Sequence, residues 1–118
     1  MHEVSIALAI VDEIDERSTA LDGIVTAVHV RIGAMSAVVP SALEFAWDLA
    51  TAGTAIAGAR LVIERVPLTI ACERCGNQVV DGPPIPICPG CSAPSSAIVT
   101  GRELDIAAVE VLDANPAR

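Results

Sequence analysis

The chain has four cysteines, Cys72, Cys75, Cys88 and Cys91, arranged as two Cys-x-x-Cys pairs with twelve residues between them. Each pair brings two sulfurs to one side of a tight turn, and two facing pairs supply the four thiolates that tetrahedral Zn2+ prefers. The competing arrangement is two disulfides. Met1 to Val11 has no basic n-region of a secretory signal, and the acids Asp12, Glu13, Asp15 and Glu16 follow it. The chain is therefore expected to be cytoplasmic, where reducing conditions favour metal over disulfide. A thioredoxin-like redox pair sits at a helix start after a strand, which two pairs bracketing a Pro/Gly-rich loop do not match.

Composition narrows the partners. With 118 residues the chain holds about one domain, with room for a small inserted module. The formal net charge is −8, all seven basic residues are arginines, and four metal-bound thiolates would make the balance more acidic still. One Phe, one Trp and no Tyr leave little stacking surface, and with that charge they argue against nucleic acid. The longest early apolar run, Ile6 to Val11, is too short to span a bilayer.

In chain order, Val4 to Glu16 repeats apolar residues at three- and four-residue steps (Val4, Leu8, Val11 and Ile6, Ile10, Ile14), predicting an amphipathic helix capped by Ser5 or Glu3. After an Asp22-Gly23 turn, Ile24 to Ile32 alternates, with Val28, Val30 and Ile32 on a core face and His29 and Arg31 on the other. His29 reads as a half-exposed strand histidine with no partner visible nearby. Pro40-Ser41 opens a second helix that carries Leu43, Trp47 and Ala50 on one face and Glu44 and Asp48 on the other, and Gly53 ends it. Met35, Phe45 and Trp47 are expected in the core. A further strand over Ala59 to Val66 makes a parallel crossover the natural connection.

Pro67 closes that strand just ahead of the first cysteine pair. The segment from Gly76 to Ile87 is too rich in Pro and Gly for a packed helix, so short hairpins folded over a metal are expected. A last strand, Glu103 to Val111, loses its alternation near Ala107-Ala108, where a β-bulge would return Leu104, Ile106, Val109 and Val111 to one face. The tail from Asp113 onward is expected to fray. The fold class is α+β: a small mixed β-sheet with two helices, formed by residues 1–66 and 98–118, and an inserted zinc-ribbon-like module over 67–97.

Saturated cysteine pairs make a structural zinc site, so function is sought elsewhere. The first residues are the candidate: the Met1 amine, the amide and imidazole of His2, and the amide or carboxylate of Glu3 can offer nitrogen and oxygen donors that suit square-planar Ni2+ or Cu2+. Residues alone leave a solvated terminal histidine as the alternative.

The N-terminal Met-His-Glu leading into an apolar helix, Cys72-x-x-Cys75 with Cys88-Pro-x-Cys91, and Gly101-Arg-Glu-Leu-Asp-Ile-Ala-Ala-Val-Glu-Val111 together resemble the HypA/HybF family of nickel metallochaperones for [NiFe]-hydrogenase maturation. The resemblance spans nearly the whole chain. It implies His2 as the nickel ligand with Met1 and Glu3 beside it, and a structural zinc on Cys72, Cys75, Cys88 and Cys91. It also implies a carrier with no catalytic residues, a GTPase accessory partner, and the hydrogenase large subunit as final recipient, with urease maturation in some relatives. Relatives often carry an aromatic residue soon after the first cysteine pair and a glycine directly after the second. This chain has Asn77, Gln78 and Val79 in the one place and Ser92 in the other, and no histidine flanks its cysteines. The alternative is a zinc-ribbon adaptor in transcription or translation, which predicts a basic face, yet residues 67–97 hold one Arg against Glu73 and Asp81. A metal-dependent hydrolase stands third, since no His-Glu-x-x-His helix is present.

Overall fold

The computed structural model describes residues 2–17 and 23–113, apart from the side chains of His2 and Asp113. Helix α1, His2–Arg17, buries one stripe, Ala7, Ile10, Val11 and Ile14, against helix α2, Pro40–Thr51. Those are i, i+3, i+4 and i+7 positions, so one face about 100° wide meets the core. The row expected through Val4 and Leu8 is a correction: both side chains stay about half exposed, and of that row Val11 alone is buried. The cap expected at Ser5 or Glu3 is also corrected, because the helix already begins at His2. Near its C-terminal end Arg17 donates to Glu13 at 3.0 Å, offsetting part of the acid run.

Strand β1, Gly23–Gly33, forms where the alternation predicts it, with Val28, Val30 and Ile32 buried and His29 and Arg31 half-buried. Its first half has the opposite phase: Val25 and Ala27 face inward and Ile24 and Thr26 outward. Strand β2, Arg60–Val66, and strand β6, Leu104–Asp113, flank β1 in a three-stranded sheet ordered β2-β1-β6. Contacts with β2 advance together, Arg31 with Glu64 and Ala34 N–H with the Val66 carbonyl, so that pair is parallel as the α2 crossover requires. Contacts with β6 advance oppositely, Gly33 N–H to the Glu103 carbonyl and the Thr26 hydroxyl to the Glu110 carbonyl, so that pair is antiparallel. In β6 the more protected residues are Ile106, Val109 and Val111, so the phase breaks at Ala107-Ala108 as expected, whereas Leu104 is exposed. Asp22 and the tail beyond Asp113 lie outside the described residues.

Helix α2 opens with Pro40 in its first turn, where a missing N–H costs nothing, and Gly53 follows its end with φ +75°. Leu43, Ala46, Trp47 and Ala50 are buried, and the Trp47 Nε1–H donates at 2.8 Å to the Ala59 carbonyl. This bond fixes the rotation of the helix. Phe45, expected in the core, is corrected: at about 100° per residue it stands opposite both Leu43 and Trp47, and it is 76% exposed.

Strands β3, Leu68–Cys72, β4, Gly76–Val80, and β5, Ile98–Thr100, make a second sheet ordered β4-β3-β5 with both pairings antiparallel. The chain divides into two compact units: residues 1–30, 38–63 and 106–118 form one, and residues 31–37 and 64–105 form the other. The second unit has a small core of Leu68, Ile70 and Cys88, with Met35, Cys72, Val80, Cys91 and Ile98 packed against it. No helix among the described residues is long and apolar enough to cross a membrane.

Candidate metal centre

Alternation along β3 puts Leu68, Ile70 and Cys72 on one face, so the strand that builds the small core also aims the first sulfur at it. Cys72 pairs with Gly76 across the β3–β4 hairpin, which makes Glu73, Arg74 and Cys75 the connecting turn. The second cysteine pair is held by its own backbone: Ser92 N–H donates to the Cys88 carbonyl at 2.8 Å, and Cys88 N–H to the Ala93 carbonyl at 2.9 Å. Both pairs are followed by a left-handed residue, Gly76 at φ +75° and Ser92 at φ +63°. The Ser92 position therefore has a conformation that suits glycine, and a serine there carries about 1 kcal/mol of strain.

The four sulfurs lie within 4.8 Å of one another, with Cys72 Sγ and Cys91 Sγ 3.6 Å apart. A tetrahedral Zn2+ with Zn–S bonds of about 2.3 Å needs sulfur pairs about 3.8 Å apart. A disulfide would need about 2.05 Å, and all four cysteines are free. The donor set therefore fits a closed tetrahedral site and not two disulfides. Gly90 contributes directly: a Cβ there would sit 3.2 Å from Cys75 Sγ and 3.7 Å from Cys88 Sγ, so glycine lets the two pairs close on each other. Among the described residues this is the one cluster of three or more metal-ligating side chains.

Electrostatics at the cluster favour a thiolate at one cysteine and oppose it at two. Backbone N–H groups of Cys75 and Arg74 point at Cys72 Sγ and bring its thiol down to about 7. The Cys88 sulfur beside Cys75, together with partial burial, pushes the Cys75 thiol up to about 12. At Cys91 the Ala93 N–H favours the thiolate, but the sulfur of Cys72 and desolvation outweigh it and raise the thiol. One ready thiolate among crowded thiols is a site that a divalent cation completes by displacing the remaining protons.

The other expected donors are less assembled. Met1 lies outside the described residues, as does the His2 side chain, while the His2 backbone begins α1. The Glu3 carboxylate accepts the Val39 N–H at 3.1 Å just before α2, and that bond holds it below the ordinary carboxylate range. His29 does have a partner, Glu110 on β6, which no local pattern announces. Its Nε2–H donates to Glu110 Oε2 at 2.5 Å, and Arg60 stands 3.7 Å from the same oxygen. A carboxylate only accepts, so the histidine proton must sit on Nε2 in this pair.

Residues 1–111 match the family model described as hydrogenase/urease nickel incorporation, metallochaperone, hypA. The chain is 48% identical to the hydrogenase maturation factor HypA of Roseiflexus sp. (strain RS-1), over 98% of this chain and 96% of that protein. It is 44% identical to the protein of the same description from Chloroflexus aurantiacus, over 93% of this chain and 98% of the relative. The solution structure of the Ni metallochaperone HypA from Helicobacter pylori superposes with a TM-score of 0.58 at 20% identity, over 93% of this chain and 94% of that one, a likeness of fold.

Proposed function

The chain belongs to the HypA family of hydrogenase and urease nickel-incorporation metallochaperones, and on that premise we propose that it carries Ni2+ on the Met1 amine, the His2 amide and imidazole, and Glu3. The observation that carries the proposal is the start of α1 at His2. The amides of a helix's first turn have no intrahelical acceptor, so a metal that takes the His2 and Glu3 amides breaks no helical hydrogen bond. Glu3 then contributes through its amide, since its carboxylate holds Val39. A terminal nitrogen-rich set suits square-planar Ni2+, and ligands at a chain terminus can be exchanged one at a time during delivery. Copper binds such donors more tightly, so selectivity rests on metal availability and on the recipient.

In the same reading Cys72, Cys75, Cys88 and Cys91 hold a structural Zn2+ in a module over residues 67–97, and residues 1–66 with 98–118 form the nickel-carrying part. The zinc supplies folding free energy to a unit with a three-residue core. The protein acts as a carrier and not an enzyme, works in the cytoplasm, and passes nickel by way of a maturation GTPase to the hydrogenase large subunit. Metal analysis of wild type and His2→Ala, both with a native N-terminus, tests the assignment. The variant should lose about one equivalent of exchangeable Ni2+ and keep its zinc; equal nickel in both proteins refutes it.

A further inference from the structure

Helix α2 presents to solvent an apolar row that its own packing prevents it from burying. Phe45 and Leu49 are 76% and 66% exposed and lie four residues apart, hence side by side on one face. Inward rotation of that face is blocked: Leu43, Ala46, Trp47 and Ala50 fill the buried side, and the Trp47 Nε1–H is tied to the Ala59 carbonyl. Alongside runs a second row, Glu44 and Asp48, also four apart and exposed. Neither acid has an ion-pair partner among the described residues, and α2 carries no basic residue.

We propose that this face is a docking surface for a protein that offers an apolar stripe flanked by Lys or Arg. The neighbouring acids select the occupant. Anionic lipid surfaces and nucleic-acid backbones are repelled by Glu44, Asp48 and a chain of net charge −8. A second copy of the chain brings the same acids and the same net charge. Phe and Leu together also expose a few hundred Å2 at most, well under the roughly 1,200–2,000 Å2 that a stable dimer buries. A small apolar centre beside unpaired charge suits a brief, electrostatically steered encounter, with the aromatic side chain as anchor. The inference is independent of the metal ligands, because it uses neither α1 nor the cysteines.

The probe is a short fluorescent amphipathic peptide of Leu and Lys, with a Leu/Glu peptide of the same pattern as control, titrated by anisotropy and by amide chemical shifts. The Leu/Lys peptide should bind with shifts centred on residues 44–49, and the Leu/Glu peptide should not. Phe45→Ser/Leu49→Ser should weaken binding at least about tenfold. Glu44→Gln/Asp48→Asn should weaken it several-fold and flatten its salt dependence. Unchanged Trp47 emission reports that both variants remain folded. Shifts centred off α2, equal affinity for the two peptides, or undiminished binding by Phe45→Ser/Leu49→Ser overturns the proposal. So does self-association that the same double substitution abolishes, since a second copy would then own the face.

Discussion

Replacing Trp47 by Phe tests the account of how α2 is seated. The indole is 2% exposed, and its Nε1–H satisfies the Ala59 carbonyl at 2.8 Å in a buried setting. Phe keeps the aromatic character but removes the donor, leaving a buried carbonyl short of a partner at a cost of about 1–3 kcal/mol. The smaller ring also leaves unfilled volume, worth about 1–2 kcal/mol more. The sum, about 2–5 kcal/mol, is a large fraction of the stability of a domain this size and, at about 4 °C per kcal/mol, corresponds to a fall in Tm of roughly 8–20 °C. Phe45→Ala is the matched control: it removes more atoms from the same helix, but from a side chain in solvent, so its effect should stay within about 0.5 kcal/mol. Both are measured by thermal denaturation followed by far-UV circular dichroism, since the variant lacks the tryptophan. A fall of less than about 3 °C for Trp47→Phe, or equal falls for both variants, refutes the assignment of inward and outward faces.

Cys72→Ser should release the zinc and expose residues 67–97 to protease while Trp47 emission stays native; a variant that keeps both metal and protease resistance contradicts the stapling role. Ser92→Gly should stabilise the second unit by about 1 kcal/mol, read as slower zinc release to a chelator; no change means that the left-handed backbone at Ser92 carries no strain. At Glu110 the carboxylate is held below its ordinary value first by the hydrogen bond from His29 and then by the charges of His29 and Arg60. A depressed folded-state value contributes stability above the ordinary carboxylate range, and that contribution is lost as pH falls through the depressed value. The Glu110 carboxyl should therefore titrate below 4.5 in an NMR pH series and move upward in His29→Ala; matching midpoints exclude the pair.

The cysteine cluster was legible because its information is local. Two sulfurs per turn and strand alternation through Leu68, Ile70 and Cys72 are short-range facts, and the sulfurs duly converge. Helix α2 was bounded by Pro40 and Gly53 for the same reason. Phe45 was misplaced because hydrophobicity alone overrode the helical angle that sets it opposite Leu43 and Trp47. The excess apolar row of α1 was misread because the sequence offers two rows, and only the one against α2 is covered. The partner of His29 was invisible because Glu110 lies 81 residues away, a pairing created by the strand order β2-β1-β6 and by no spacing within either segment. The phase change inside β1 belongs to the same class, since burial on either face of a strand depends on what is packed there. Among the proposed nickel donors, the structure adds the start of α1 at His2 and the engagement of the Glu3 carboxylate by Val39, neither of which follows from Met-His-Glu as letters.

The central claim is that a free terminal amine and His2 together hold the nickel. Its most direct test is the Ni2+ and Zn2+ stoichiometry of the protein with a free Met1 amine, beside a version acetylated at that amine. Acetylation leaves every side chain in place and removes only the basic amine, so the account predicts that the acetylated protein loses about one equivalent of Ni2+ at unchanged zinc. Equal nickel in the two proteins would contradict it.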